Sequence, residues 1–281
     1  MIKIHILHCG DVGVDPAVPD RSVSTNPMAY TGLLRSAKRR IWLPVKAFYI
    51  EHPKGKILID TGWDSTVRNH PIRTLTVPMW FASKPNLPAG QAIDEQLDAM
   101  GVKPAQLDYV ILTHMDIDHD SGLRLVKDAK RILISPEEEK AIHSTQVRYV
   151  RRPWKDISIQ TIPFQLDQKA PHGQSWDVFG DKTVIVFSMP GHSQGSVVIK
   201  IQEGGNFVLI VGDTGYNCNS WEQLKLPGPV YDKNKMRTSL RWVQTERLKS
   251  DCVAVLAAHD PEEKQNLIEL RRKLYDNVRS N

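Results

Sequence analysis

Apolar and polar residues alternate in "IKIHIL" at 2–7, and a period of two lays one face of a strand against a core. "IWLPVKAFYIE" at 41–51 and "KILID" at 56–60 are rich in β-branched and aromatic residues, and the Pro-Lys-Gly-Lys between them predicts a turn. "QAIDEQLDAMG" carries Ile93, Leu97 and Met100 at helical spacing and stops at Gly101. "LDYVILTH" at 107–114 reads as a buried strand. "SPEEEKAIH" opens a helix, with Ser135 as cap and Glu138 three residues on to complete a capping box. Strands follow at "TVIVFSMP", "SVVIKIQ" and "NFVLIVGDTG", then a helix over "KMRTSLRWVQTERLKS" and a strand over "VAVLAAHD". A closing helix is predicted over 260–278, with Asp260 as cap, Pro261 in the first turn and Glu263 completing a second box. Strand runs broken by helices predict an α/β chain of layered sheets with helices outside.

Residues 64–90 break this rhythm. Prolines at 71, 78, 85 and 88 prevent a long regular element, yet Val77, Met79, Trp80 and Phe81 are apolar. Such a segment reads either as a lid or contact loop or as a loop packed on its own domain. The 281 residues suffice for a core without staples, and a single domain over 1–281 is expected. The net charge of +5 mildly favours an anionic partner. Cys9, Cys218 and Cys252 are odd in number and include no C-x-x-C, which argues against a disulfide framework or a thiolate zinc site. "MIKIHILHCGDV" lacks the apolar core of a signal peptide and no window approaches a membrane span, so a soluble cytoplasmic protein is expected.

The chemistry gathers where strands end. "VILTH-MDIDH", "VIVFSMPGH" and "VAVLAAH" each end in histidine, and "FVLIVGD" ends in Asp213. A strand delivers its last side chain to one edge of a sheet, so four such ends can converge. Each has a plainer reading: Pro-Gly-His at 190–192 as a turn, His259 beside a helix cap, Gly-Asp at 212–213 as a common strand end. His114, Asp116, Asp118 and His119 are harder to dismiss. Burying these groups unpaired is costly, so solvent or a cation must satisfy them. Histidine and carboxylate together are a common ligand set for transition metals.

On these residues the chain resembles a metallo-β-lactamase-fold hydrolase, whose motif is H-x-H-x-D-H followed in order by His, Asp and His at strand ends. The matching positions are His114, Asp118, His119, His192, Asp213 and His259, and "LIDTG" with Asp60 is similar to the family's motif behind the metal ligands. The resemblance implies an αββα sandwich of two mixed β-sheets flanked by helices. It also implies two divalent metal ions, zinc in the family: one held by 114, 116 and 192, one by Asp118, His119 and His259, with Asp213 between them. "GDTGY" is similar to the N-acyl homoserine lactonase branch, where a tyrosine at the place of Tyr216 polarises the lactone carbonyl; Tyr216 as a packing residue is the alternative. The implied reaction is hydrolysis of a cyclic or open ester by a metal-activated water, with Asp118 carrying the proton to the leaving alkoxide. Asp116 departs from the motif, standing where the family has a second histidine. One more carboxylate lowers the formal charge of the site by one, makes the ligand set harder and favours iron or manganese.

Two rivals compete. The basic stretches "RSAKRR" at 35–40 and "RYVRRPW" at 148–154 would suit a phosphodiester in a nuclease of the same fold, although such runs are usually solvated faces. A protein that kept the fold but lost metal occupancy through Asp116 would bind a ligand without turning it over. The expected partner is a small ester or lactone, with a homodimer allowed and neither membrane nor nucleic acid expected.

Overall fold

The strand at the N-terminus continues well past residue 7, although its strict alternation ends there. In the computed structural model, which describes residues 1–33, 35–144 and 148–271, the first strand runs from Ile2 to Val14. It is followed by β2 (Ile41–His52), β3 (Gly55–Ile59), β4 (Lys84–Asn86), β5 (Tyr109–Ile111), β6 (Ile132–Ile134) and β7 (Gln160–Thr161). Then come β8 (Gln165–Leu166), β9 (Gln174–Asp177), β10 (Val184–Ser188), β11 (Val197–Glu203), β12 (Asn206–Gly212), β13 (Cys252–Ala257) and β14 (Leu267–Leu270). Among the described residues one sheet has the order β14-β1-β2-β3-β5-β6-β7, with β4 on β1, and the other the order β13-β12-β11-β10-β9-β8. Both are mixed: β3, β5, β6 and β7 are parallel and so are β12 and β13, while the other pairs are antiparallel.

The period-two pattern sorts side chains into three apolar layers. Ile4, Phe48, Ile59 and Ile111 meet Val186, Ile199, Val208 and Ile210 between the sheets. The other face of the first sheet packs Cys9, Ala47, Leu58 and Val110 against Ile93 and Leu97. The outer face of the second packs Val198, Phe207 and Leu209 against Met236, Leu240 and Val243. Seven α-helices cover these faces or line their edges among the described residues: α1 (Pro71–Thr74), α2 (Val77–Ala82), α3 (Ile93–Ala99), α4 (Ile117–Asp120), α5 (Pro136–Ile142), α6 (Cys218–Glu222) and α7 (Lys233–Arg247). The result is the expected αββα sandwich.

One expected element is corrected. The closing helix predicted over 260–278 does not form in its described part. Asp260 Oδ1 and Glu263 Oε1 accept from Glu262 and Gln265 backbone N–H in turns, and Leu267–Leu270 joins β1 as an antiparallel strand. Ile268 and Leu270 are buried while Leu267 and Glu269 are not, a period of two that the open edge of β1 selects over helical propensity. Residues 272–278 of that prediction lie outside the described residues. In 64–90 the prolines begin short elements as well as limiting them: Pro71 and Pro78 sit in the first turns of α1 and α2, where a missing N–H costs nothing.

The two sheets meet at a polar seam beside the end of β5. Val197 N–H, at the head of β11, donates to Thr113 carbonyl, just beyond β5, at 2.9 Å. Gly212, closing β12 at φ +50°, lies so near that a Cβ there would stand 2.8 Å from Thr113 Cβ and Oγ1. Gly212→Ala is therefore expected to lose about 2–3 kcal/mol of stability, from overpacking added to left-handed strain. Gly205→Ala, at φ +84° with nothing within 4 Å, meets strain alone and should lose about 1 kcal/mol. Urea unfolding of both variants checks this; equal losses would mean that the seam yields freely.

Candidate metal centre

Four strands point their ends at this seam. His114 follows β5 of the first sheet, and His192, Asp213 and His259 follow β10, β12 and β13 of the second. Asp116, Asp118 and His119 lie on α4 and its N-terminal flank, the turn that carries the chain out of β5. His114, His119, His192, Asp213 and His259 are buried, whereas Asp116 and Asp118 are partly open. Three sets of donor atoms each lie within 4.8 Å of one another: His114, Asp116 and His192; Asp118, His119 and His259; and His114, His119 and Asp213. Every residue singled out from the sequence as a ligand is thus brought to one place.

Neighbouring groups aim the rings. Asp60, itself buried and at φ +58°, takes Thr113 N–H at 2.7 Å on Oδ1, and Thr113 Oγ1–H at 2.8 Å and His119 Nδ1–H at 2.9 Å on Oδ2. His259 Nδ1–H donates to Pro44 carbonyl at 2.7 Å. Both assignments leave Nε2 of these rings facing the centre as a lone-pair donor, the usual way a ligating histidine is held. Asp213 Oδ1 lies 3.3 Å from both of those Nε2 atoms, and Oδ2 lies 3.5 Å from His192 Nε2. Burial alone would raise the Asp213 carboxyl, but His259 and His119 hold it well below the usual carboxylate range. Burial likewise lowers His119 and His259, and Asp213, joined by Asp60 at His119, more than reverses that. The positive charge those carboxylates attract onto imidazole is what a bound cation would supply instead.

The donor set fits divalent metal. His114 Nε2 and Asp213 Oδ1 are buried and find no hydrogen-bond partner among the described residues, although each points at the cluster. Leaving such atoms unsatisfied is costly, and a cation among them removes the cost. Imidazole and carboxylate donors without thiolate suit zinc, iron or manganese.

Two residues beside the cluster escaped the sequence reading. Arg148, part of a stretch assigned to a solvated face or a phosphate backbone, turns inward onto Asp116. Its Nε–H donates to Oδ1 and its Nη2–H to Oδ2, the latter at 2.6 Å, while Nη1–H reaches His192 carbonyl at 2.7 Å. Asp116 Oδ2 also lies 3.1 Å from His192 Nε2 and 3.3 Å from His114 Nε2. Burial would raise the Asp116 carboxyl, but Arg148 and His114 hold it well below the carboxylate range. The charge argument from the ligand set alone therefore omitted a cation already in contact with Asp116. The second residue is Glu138, expected to complete a capping box. Half of the box forms, with Ser135 Oγ accepting Glu138 N–H at 3.0 Å. The carboxylate instead accepts from Met115 N–H at 3.0 Å, Ser193 Oγ–H at 2.6 Å and Gly195 N–H at 2.9 Å. It staples the loop after β5 to the loop after β10, fixing His114 and Asp116 against His192. Nothing in either local sequence announces these long-range pairings.

Tyr216 is buried with its ring stacked on His259, centroids 5.2 Å apart. Burial, with Asp213 adjacent, pushes its phenol well above the ordinary range, so it is a hydrogen-bond donor at neutral pH. With Asp116, Asp118, Asp213 and His259 it lines a cavity of about 1010 Å³. Much of the rest of the lining is apolar, including Val12, Val14, Leu43, Val77, Met79 and Phe81.

Comparison with known proteins agrees with this geometry. The N-acyl homoserine lactonase AttM of Agrobacterium fabrum is 28% identical over 225 residues, spanning 78% of this chain and 83% of that one. Among solved structures, an N-acyl homoserine lactone hydrolase with N-hexanoyl-L-homoserine at its catalytic metal centre superposes with a TM-score of 0.74 at 20% identity, covering 92% of this chain and 94% of that chain. AidC, a dizinc quorum-quenching lactonase, gives 0.64 at 14% identity, over 95% and 89% of the two chains. The family model of the metallo-beta-lactamase superfamily matches residues 40–259, a span that begins just before β2 and ends on His259. Since that match takes in all the strands whose ends meet at the seam, the chain belongs to the metallo-beta-lactamase superfamily.

Proposed function

We propose that the chain is a metal-dependent hydrolase of lactones, with an N-acyl homoserine lactone as the substrate class. The observation that carries this reading is that members of a buried histidine–aspartate cluster line the same cavity as a run of apolar side chains. The cluster suits the polar ring of such a substrate and the walls suit its acyl chain. The names of the relatives and the product bound in a structural neighbour support the same class. A phosphodiester fits less well. The guanidiniums lining the cavity belong to Arg35 and Arg148, and they are engaged by Asp15 and Asp116. Elsewhere in the basic stretches, Arg40 donates to Gly13 and Phe81 carbonyls and Arg152 to Ile72 carbonyl.

In this reading His114, Asp116 and His192 would hold one divalent ion and Asp118, His119 and His259 a second, with Asp213 within reach of both sets. Two such ions, when bound, polarise an ester carbonyl and bring the pKa of a water toward neutrality. Tyr216 Oη–H donates to the carbonyl oxygen as negative charge grows there. As water oxygen bonds to the carbonyl carbon and the ring C–O bond breaks, Asp118, whose Oδ2 is 3.5 Å from His259 Nε2 and which also lines the cavity, takes the proton the water gives up and passes it to the leaving alkoxide. Asp60 keeps His119 oriented and moves no proton. The 64–90 segment, through Val77, Pro78, Met79 and Phe81, covers the acyl chain and excludes water.

Asp213→Ala should abolish lactone hydrolysis and lose at least one metal, yet keep a cooperative melt because the ligands sit at strand ends and not within the apolar layers. Elemental analysis, a lactone assay and thermal unfolding check this, and undiminished hydrolysis would sink the binuclear reading. Tyr216→Phe should leave metal content alone and lower kcat on the order of 100-fold. A Tyr216→Phe enzyme matching wild type on a panel of lactones would remove Tyr216 from the mechanism.

A further inference from the structure

A carboxylate that is to bind a cation does not need an arginine, and an arginine beside a cation is repelled by it. Arg148 nevertheless makes a two-pronged pair with Asp116, the most strongly bonded geometry open to these groups. Its charge is permanent, because guanidinium does not lose its proton in proteins. The pair is largely shielded from solvent, with side chains 20% and 16% exposed, so water screens it only in part. Asp116 Oδ2 still faces both His114 Nε2 and His192 Nε2. The contact of Arg148 with His192 carbonyl ties it to the loop of a second ligand.

We propose that Arg148 is a charge-compensating residue of the metal centre, and that the Asp116–Arg148 pair together takes the electrostatic place of one neutral imidazole. The proposal rests on the binuclear reading above. Replacing imidazole by carboxylate lowers the charge of the site by one, and the guanidinium restores it. The metals then experience the charge of a site with a third histidine in the first set, and the electrostatic case for iron or manganese over zinc loses its basis. Charge compensation also has a sign that a merely structural clamp lacks: removing the cation should tighten metal binding, and removing the carboxylate while keeping the cation should weaken it.

Zinc competition against a chromophoric chelator, on metal-stripped and refilled protein, reads that sign. Arg148→Met should hold the more weakly bound zinc at least roughly tenfold more tightly than wild type, and Arg148→Lys should bind as wild type does. Asp116→His should bind it at least roughly tenfold more weakly, and Asp116→His/Arg148→Met should return to within about threefold of wild type. Melts of the metal-free forms show whether each variant folds; if Asp116→His does not, the two single Arg148 variants, which change a partly exposed side chain, decide alone. Unchanged or weaker zinc binding by Arg148→Met overturns the proposal, as does a double variant no better than Asp116→His. Two zinc ions bound to wild type beside either result leave the binuclear reading intact. Wild type that takes up no zinc overturns both.

Discussion

The candidate site depends on one contact: the seam at which Thr113 meets Val197 and Gly212. Apolar burial is non-directional, so it does not by itself dictate which strand ends face one another. Here a backbone hydrogen bond from Val197 to Thr113 fixes the register beside the site, and the absence of a side chain at Gly212 permits the close approach. With that register, the end of β5 in one sheet faces the ends of β10, β12 and β13 in the other. Thr113 also gives both its N–H and its hydroxyl to Asp60, whose carboxylate orients His119. The contact that aligns the sheets therefore also aims a ring.

Concentrating so many ionisable groups in a buried place requires that charge be balanced at short range. Among the described residues, Asp213 lies among three imidazoles, Asp60 accepts from His119 and Thr113, and Asp116 is held by Arg148. Glu138 takes three hydrogen bonds and joins the loops that follow β5 and β10. These pairings come from elements far apart in the chain, and each removes an unsatisfied charge or donor that burial would otherwise penalise. They also make the site stiff before a cation or substrate arrives, which is what a preorganised centre needs.

Much of this was legible in advance for a physical reason. A period of two fixes which face of a strand is buried, and a polar group directly after an apolar run can only lie at a sheet edge. That placed His114, His192, Asp213 and His259 at strand ends, and the family pattern gave their order. Arg148 was not legible. A guanidinium in "RYVRRPW" looks the same whether it faces water or a carboxylate 32 positions away. Glu138 satisfied a local rule, the capping box, while its carboxylate served a distant one. Residues 267–270 went wrong in the same way: the capping signals at 260–263 are real as turns, but the unpaired edge of β1 outweighed helical propensity.

Local sequence thus determined the long strands, the helices over Ile93–Ala99, Pro136–Ile142 and Lys233–Arg247, the buried faces and the residue types available as metal ligands, because these depend on periodicity and on the chemistry of single side chains. Tertiary structure decided which of those groups meet, which charge faces which, and that the electrostatics of Asp116 cannot be reckoned without Arg148. Charge balance in a buried site is a sum over neighbours in space, and spacing along the chain does not contain it.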